Sequence, residues 1–297
     1  MADRALARGA ARLASFADEV GTTGEVTVTG FGTRGGPVDG VRAVSPPVGI
    51  DWVQPAEMTV SCGAGTSVDE LEAALAQHGQ RVALPPGGSV GGALAVGRSG
   101  IRRLGDGPSR DAVLQVRYVS ASGEVVKAGG PTVKNVSGFD LCRLLVGSHG
   151  TLGFLGDVIL RTRPRPRCSR WHVGRVDPFE LVAHLYRPTS VLWNGTSTWV
   201  LLEGDERDVV AQVVGLGLTE TDGPPPLPTA GRWSVTPANV PSLTGEFVAE
   251  VGVGIVHHTS SPPPRTIDPA VVAVHARIKE RFDPWRRLNP GVDPLDG

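Results

Sequence analysis

Residues 30–36 read GFGTRGG and follow EVTVT at 25–29, an alternating run that predicts a strand. The glycines match G-x-G-x-x-G, and Asp51 lies downstream near the position of a ribose-binding acid, which on paper is the Rossmann fingerprint. That fingerprint works only when a helix begins at once, because the helix N-terminus receives the pyrophosphate. Here the chain continues PVDGVRAVSPPVGIDW, and Pro37, Gly40, Pro46 and Pro47 forbid a helix of useful length. A Rossmann domain is therefore rejected.

Two further segments are built like the first. Residues 85–100, PPGGSVGGALAVGRSG, hold six glycines and two prolines. So Gly-rich a stretch is not expected to pack a side-chain core; it is either flexible linker or backbone pressed against a ligand. Val90, Ala93, Leu94, Ala95 and Val96 are interleaved with the glycines, which flexible linkers avoid. Residues 131–163, PTVKNVSGFDLCRLLVGSHGTLGFLGDVILRTR, predict a polar loop and a short apolar helix at 139–146. A glycine-broken loop at 147–153 and a strand at 154–161 follow. Three glycines in GSHGTLG, with Ser148 and Thr151 between them, let the backbone approach something flat or anionic.

The remaining elements alternate. A helix is expected over 2–20, with Leu6, Leu13, Phe16 and Val20 at helical spacing, and a strand over 57–62. Residues 67–78 predict a helix opened by a Ser67/Glu70 capping box, stopped by Gly79. Residues 112–126 predict a hairpin turning at Ser122 and Gly123. Pro164 and Pro166 mark a boundary. Beyond it, strands are expected at 168–176, 191–193, 199–203, 232–235 and 247–256, and helices at 178–187 and 205–215. Residues 219–229 read as a Pro/Gly loop. Asp268 caps a last helix with Pro269 at its first position, running to about Phe282.

Net charge is −1, which gives no electrostatic case for nucleic acid. The three cysteines, Cys62, Cys142 and Cys168, suit reduced thiols, and without a CxxC no iron–sulfur cluster is expected here. No apolar run approaches the ~20 residues of a membrane span, and the N-terminus lacks the apolar core of a secretory signal. The expected location is cytoplasmic, or peripheral to the inner membrane through partners.

The ordered motifs resemble the FAD-linked oxidases that carry the PCMH-type (vanillyl-alcohol-oxidase-like) FAD-binding domain. GFGTRGG is similar to that family's first phosphate loop, and KNVSGFDLCRLLVGSHGTLG to its flavin-contacting segment. IRRLGDGPSRDAVL and the tail IKERFDPWRRLNPG are similar to its further motifs. The subfamily resembled is the FAD-binding subunit of bacterial glycolate oxidases. The resemblance implies an α+β fold: an FAD-binding domain of two α+β subdomains over 1–165, a reduced α+β cap over 166–267, and a helix and tail over 268–297 returning to the FAD domain. It implies FAD, held without a covalent link, since no His precedes the first loop. The contacts it implies are Gly30, Gly32, Thr33, Arg34 and Gly35 from the first loop, and Pro86, Gly87, Gly88, Gly91 and Gly92 from the second segment. Arg110 and Asp111 follow, then Lys134, Asn135, Gly138 and Asp140. Gly147, Ser148, His149, Gly150, Thr151, Leu152 and Gly153 come from the third loop, and Asn289 from the tail.

For chemistry, the resemblance implies an FAD-dependent oxidoreductase subunit acting on the CH–OH group of a small 2-hydroxy acid. Its expected partners are a second flavin subunit and an iron–sulfur subunit. His257 and His258, closing VGVGIVHH, are the catalytic candidates, similar to the last His of an H-x-G-x-G-N-x-H segment. The upstream His, the Asn and a carboxylate partner are missing from the pattern, so no metal site is expected. Three alternatives stay open: a non-catalytic FAD-holding or assembly subunit, a stand-alone dehydrogenase of another alcohol, and an apo scaffold that has lost its flavin.

Overall fold

The computed structural model describes residues 2–131 and 140–296. They form two compact units: Met1–Gly100, Pro108–Arg165 and Ile267–Gly297 in the first, Ile101–Gly107 and Pro166–Thr266 in the second.

The first unit opens with α1 (Ala2–Val20), whose Leu13, Phe16 and Val20 recur on one face and are buried. They pack with Val26 of β1 (Val26–Val28) and Val44 of β2 (Arg42–Val44), two strands paired in parallel. No helix follows the first glycine loop, as its prolines require. Next come β3 (Ile50–Gln54), β4 (Thr59–Gly63), α2 (Val68–Ala76), β5 (Gln80–Val82) and α3 (Val90–Val96). A short helix, α4 (Arg103–Asp106), belongs to the second unit. Then β6 (Val113–Val119), β7 (Val125–Gly129), α5 (Leu141–Leu145) and β8 (Phe154–Pro164) complete an antiparallel sheet. Its order is β3-β4-β8-β6-β7, with β5 on the far end of β8.

The central strand β8 is buried continuously from Phe154 to Leu160, because helices cover both faces of the sheet. Val158 and Leu160 meet Leu71 and Leu75 of α2 and Val90 and Leu94 of α3. The opposite face carries charge: Arg117 Nε–H donates to Asp157 Oδ1 at 2.8 Å, and Arg12 of α1 pairs with Asp51. Burial pushes both carboxyls up, against the pull of those guanidiniums. Asp51 is thus a partner of α1, not a ribose ligand.

The expectation for residues 85–100 needs correction. Glycine-rich as it is, the segment contains α3, and Val90, Ala93 and Leu94 are fully buried. Ser89 caps it by accepting the Gly92 N–H at 3.1 Å. Gly91 lets it lie against the β4–α2 turn: a Cβ there would stand 2.9 Å from that of Ala64.

The second unit is a seven-stranded antiparallel sheet. It is built from β9 (Cys168–Gly174), α6 (Pro178–His184), β10 (Ser190–Trp193), β11 (Thr198–Gly204), α7 (Glu206–Val213), β12 (Thr219–Thr221), β13 (Gly231–Ser234), β14 (Phe247–Glu250) and β15 (Ile255–His258). The strand order is β12-β9-β11-β10-β14-β15-β13. Val191, Val200 and Leu202 pack against Leu181 of α6 and Val209 of α7 on one face. Two expectations are corrected here. Residues 247–256 are not one strand but a hairpin, β14 and β15, turning through Gly252 (φ 82°) and Gly254 (φ 79°). Residues 219–221, read as loop, pair with β9 as an edge strand.

The chain returns to the first unit as α8 (Pro269–Phe282), capped by Asp268 Oδ1 accepting the Ala270 N–H. Beyond it Arg287 is buried and donates to the carbonyls of Val20, Gly21, Thr23, Gly24 and Ala121. It satisfies the carbonyls at and beyond the end of α1 and seats the tail beside β1.

Candidate functional site

In the first unit a cavity of about 230 Å³ is lined by all three glycine-rich segments. Gly30, Gly32, Thr33, Arg34 and Gly35 come from the first loop, Gly91 and Gly92 from α3, and Ser148, His149, Gly150 and Gly153 from the loop before β8. Asn289 comes from the tail.

Three sets of hydrogen bonds hold these segments together. The Arg34 guanidinium donates to the carbonyls of Gly87 and Pro86, both at 2.8 Å, and of Pro85 at 3.2 Å, clamping the second segment to the first. The C-terminal carbonyls of α3 receive the third loop, Leu94 from Gly147 N–H at 3.0 Å and Ala95 from His149 N–H at 2.8 Å. Asn289 spans the remaining gap. Its Oδ1 accepts from the Thr27 hydroxyl (2.9 Å) and the Val28 N–H (3.1 Å), while its Nδ2 donates to the His149 carbonyl (2.7 Å). Gly88 is required where the clamp closes, because a Cβ there would stand 2.3 Å from Thr33 Oγ1.

The lining suits a flat, anionic dinucleotide. Gly32, Gly35 and Gly36 have nothing within 4 Å of where a Cβ would stand, so bare backbone faces the open cavity. The N–H groups of Gly30 and Phe31 donate to no acceptor among the described residues. Orphan donors on a tight turn are what a diphosphate takes up. His149 adopts φ 52° and is half-buried; burial first, and Arg98 second, push its pKa down, so a neutral imidazole lines the cavity.

Other expected contacts lie elsewhere. Pro86, Gly87 and Gly88 form the clamped turn behind the lining. Gly147, Thr151 and Leu152 line a neighbouring cavity of about 700 Å³ that shares Ser148 and Asn289 with the first. Arg110 is exposed, and Asp111 and Asp140 pair with Arg143 at 3.3 and 3.0 Å. Lys134, Asn135 and Gly138 lie outside the described residues. The sequence reading missed Phe31, Ser89 and Val292, which also line the cavity. Ser89 is the helix cap of α3 and could have been found by reading a helix there.

The second unit holds a separate polar cluster. Phe247 and Ala249 of β14 face an apolar cluster with Trp193 and Val256, so Val248 and Glu250 point to the other face. There His257, cross-strand from Val248, donates Nε2–H to Glu250 Oε1 at 2.9 Å. The carboxylate partner absent from the expected pattern therefore exists. Glu250 stands seven residues upstream, across the hairpin. It is 2% exposed, and among the described residues its Oε2 has no hydrogen-bond partner; neither does the buried Ser190 hydroxyl. His258 is engaged on both nitrogens. Nε2 meets the Thr244 carbonyl at 3.0 Å, Nδ1 accepts the Ser260 N–H at 2.9 Å, and the ring stacks on Trp233. Among the described residues no group of three metal-ligating side chains occurs.

Residues 21–129 match the family described as FAD binding domain. The chain is 35% identical over 187 residues to glycolate oxidase subunit GlcE of Escherichia coli K12, covering 59% of this chain and 53% of the relative. It is 39% identical over 109 residues to a D-lactate dehydrogenase of Archaeoglobus fulgidus, covering 36% of this chain and 25% of the relative. The chain thus spans about half the length of GlcE and a quarter of the dehydrogenase. A solved alkyldihydroxyacetonephosphate synthase shares the fold, with a TM-score of 0.66 at 14% identity over 94% of this chain and 73% of the synthase. FAD is the cofactor for which such a domain is built, and residues 21–129 of this chain carry it.

Proposed function

We propose that this chain is an FAD-dependent oxidoreductase acting on the CH–OH group of a small 2-hydroxy acid, as one subunit of a complex that carries the electrons onward. The observation that carries the reading is the cavity on which three glycine-rich segments converge, tied by Arg34, α3 and Asn289. The relatives named for glycolate oxidation and D-lactate dehydrogenation support the substrate class. Bound FAD supplies the hydride acceptor. The first loop would hold the diphosphate on backbone N–H groups, and His149, kept neutral, would present a dipole and no charge. The flavin would be held without a covalent bond.

In the second unit, Glu250 fixes His257 with Nε2 as donor, which leaves Nδ1 as the proton acceptor for a substrate hydroxyl. His258 is committed to structure on both nitrogens, so the proposal rests on His257. One observation favours a second reading, an FAD-holding subunit whose flavin meets no substrate. The buried Glu250 carboxylate, with one oxygen unpartnered among the described residues, would oppose a carboxylate substrate beside it.

The test is the visible spectrum of the purified chain, before and after glycolate or D-lactate is added without air. Bleaching of the flavin bands supports catalysis by this chain. Flavin that stays oxidised supports the holding subunit, and a chain that binds no added FAD overturns both.

A further inference from the structure

α8 is a 14-residue helix in which no residue is buried. Asp283, just past its end, is fully buried and receives Lys279 Nζ at 2.6 Å and the Leu288 N–H at 2.8 Å, so the helix is anchored at its C-terminal end. In the turns upstream, Val271, Val272 and Val274 are exposed. Val274 is 50% exposed, and Trp285, past the anchor, is 65% exposed. Val274, Ile278, Phe282 and Pro284 form the floor of a groove of about 790 Å³, and Ile278 and Phe282 continue inward to the core.

Arg277 and Arg281 stand one turn apart on the rim of this groove. Among the described residues neither makes an ion pair or side-chain hydrogen bond, nor does Arg286 beyond the anchor. Glu280 is the rim's one carboxylate, and it is paired with neither arginine. An apolar floor with unpaired arginines and an exposed Trp has the composition of a protein interface, where Arg and Trp concentrate binding energy.

We infer that this face of α8 is a docking surface for another polypeptide, one that offers apolar side chains flanked by carboxylates. Charge selects the occupant. A second copy of this chain would set arginines against arginines with one Glu280 from each side. An acidic partner would instead pair Arg277 and Arg281 as its apolar residues enter the groove between them. The surface lies outside the flavin cavity, so it stands or falls apart from the proposed function.

The experiment places the photo-crosslinker p-benzoylphenylalanine at Val274 of the full chain, expressed in its own host, with Tyr186, 74% exposed on the second unit, as control position. The expected result is an adduct at 274 with a different polypeptide, absent at 186, whose crosslinked peptide carries Asp or Glu beside apolar residues. The double variant Arg277→Glu, Arg281→Glu should lower the adduct at least tenfold with unchanged melting temperature and flavin content. An adduct with a second copy of this chain, an adduct indifferent to charge reversal, a crosslinked peptide without acids, or no adduct at 274 would each overturn the inference. Failure of the flavin reading would show separately, as missing flavin absorbance in the unmodified chain.

Discussion

His149 combines a left-handed backbone, a carbonyl held by Asn289 and a ring beside the cavity. Because burial lowers its pKa, the folded chain disfavours the imidazolium that the unfolded chain, titrating near 6.5, accepts freely. The stability tied to neutral His149 is therefore complete above about pH 6.5 and is lost as pH falls through its lowered folded value. Wild type should lose melting temperature more steeply between about pH 6.5 and 5 than His149→Asn, whose side chain tolerates the same backbone. Parallel curves would show that the ring titrates as it does in water. Little of this is readable from GSHGTLG, which gives the positive-φ opportunity but neither the burial nor the partner 140 residues away.

At the scale of elements, the first and second glycine segments are one device. Gly88 sits where Arg34 grips three successive carbonyls, and its own φ is 67°. Gly88→Val would force the turn off Thr33 and strain a left-handed backbone; the expected cost is about 2–4 kcal/mol, concentrated at the cavity. Flavin retention through gel filtration should fall sharply while far-UV circular dichroism persists; full retention would mean the clamp does not shape the site. The sequence showed that both segments were unusual but misjudged the second. Residues 85–100 looked like pure backbone because glycines outnumbered apolar residues. Yet Val90, Ala93 and Leu94 fall on one helical face, and Gly91 is what lets that face sit close. In the second unit, VGVGIVHH read as one strand because β-formers flank both glycines. Two positive-φ glycines make it a hairpin, and only the hairpin brings Glu250 to His257.

At the scale of the molecule, the first unit is closed by residues from its far end. Arg287 donates to five carbonyls spread over 20–24 and 121, so Arg287→Ala would remove a donor from each, orphaning the buried Ala121 carbonyl while the Val20 carbonyl keeps Arg42, and would leave a void where the guanidinium lay. The expected loss is about 3 kcal/mol or more of unfolding free energy, read by denaturant titration. Arg287→Lys should recover only a part, because an ammonium cannot reach so many carbonyls at once. A change under about 1 kcal/mol would mean the tail is held by Leu288 and Asn289 alone. The tail's role was legible as a motif, but its partners were not, since nothing local ties residue 287 to residue 20. The same separation governs timing. Asn289 bonds Thr27 across 262 positions, an interval of roughly 10–50 s at ordinary rates of synthesis. A ribosome-bound chain can fold β1 and the first loop early, yet the wall that Asn289 supplies arrives last. On the proposed reading of this cavity, flavin capture is a late event in the molecule's life, and chains cut short before the tail would be made without a finished cradle.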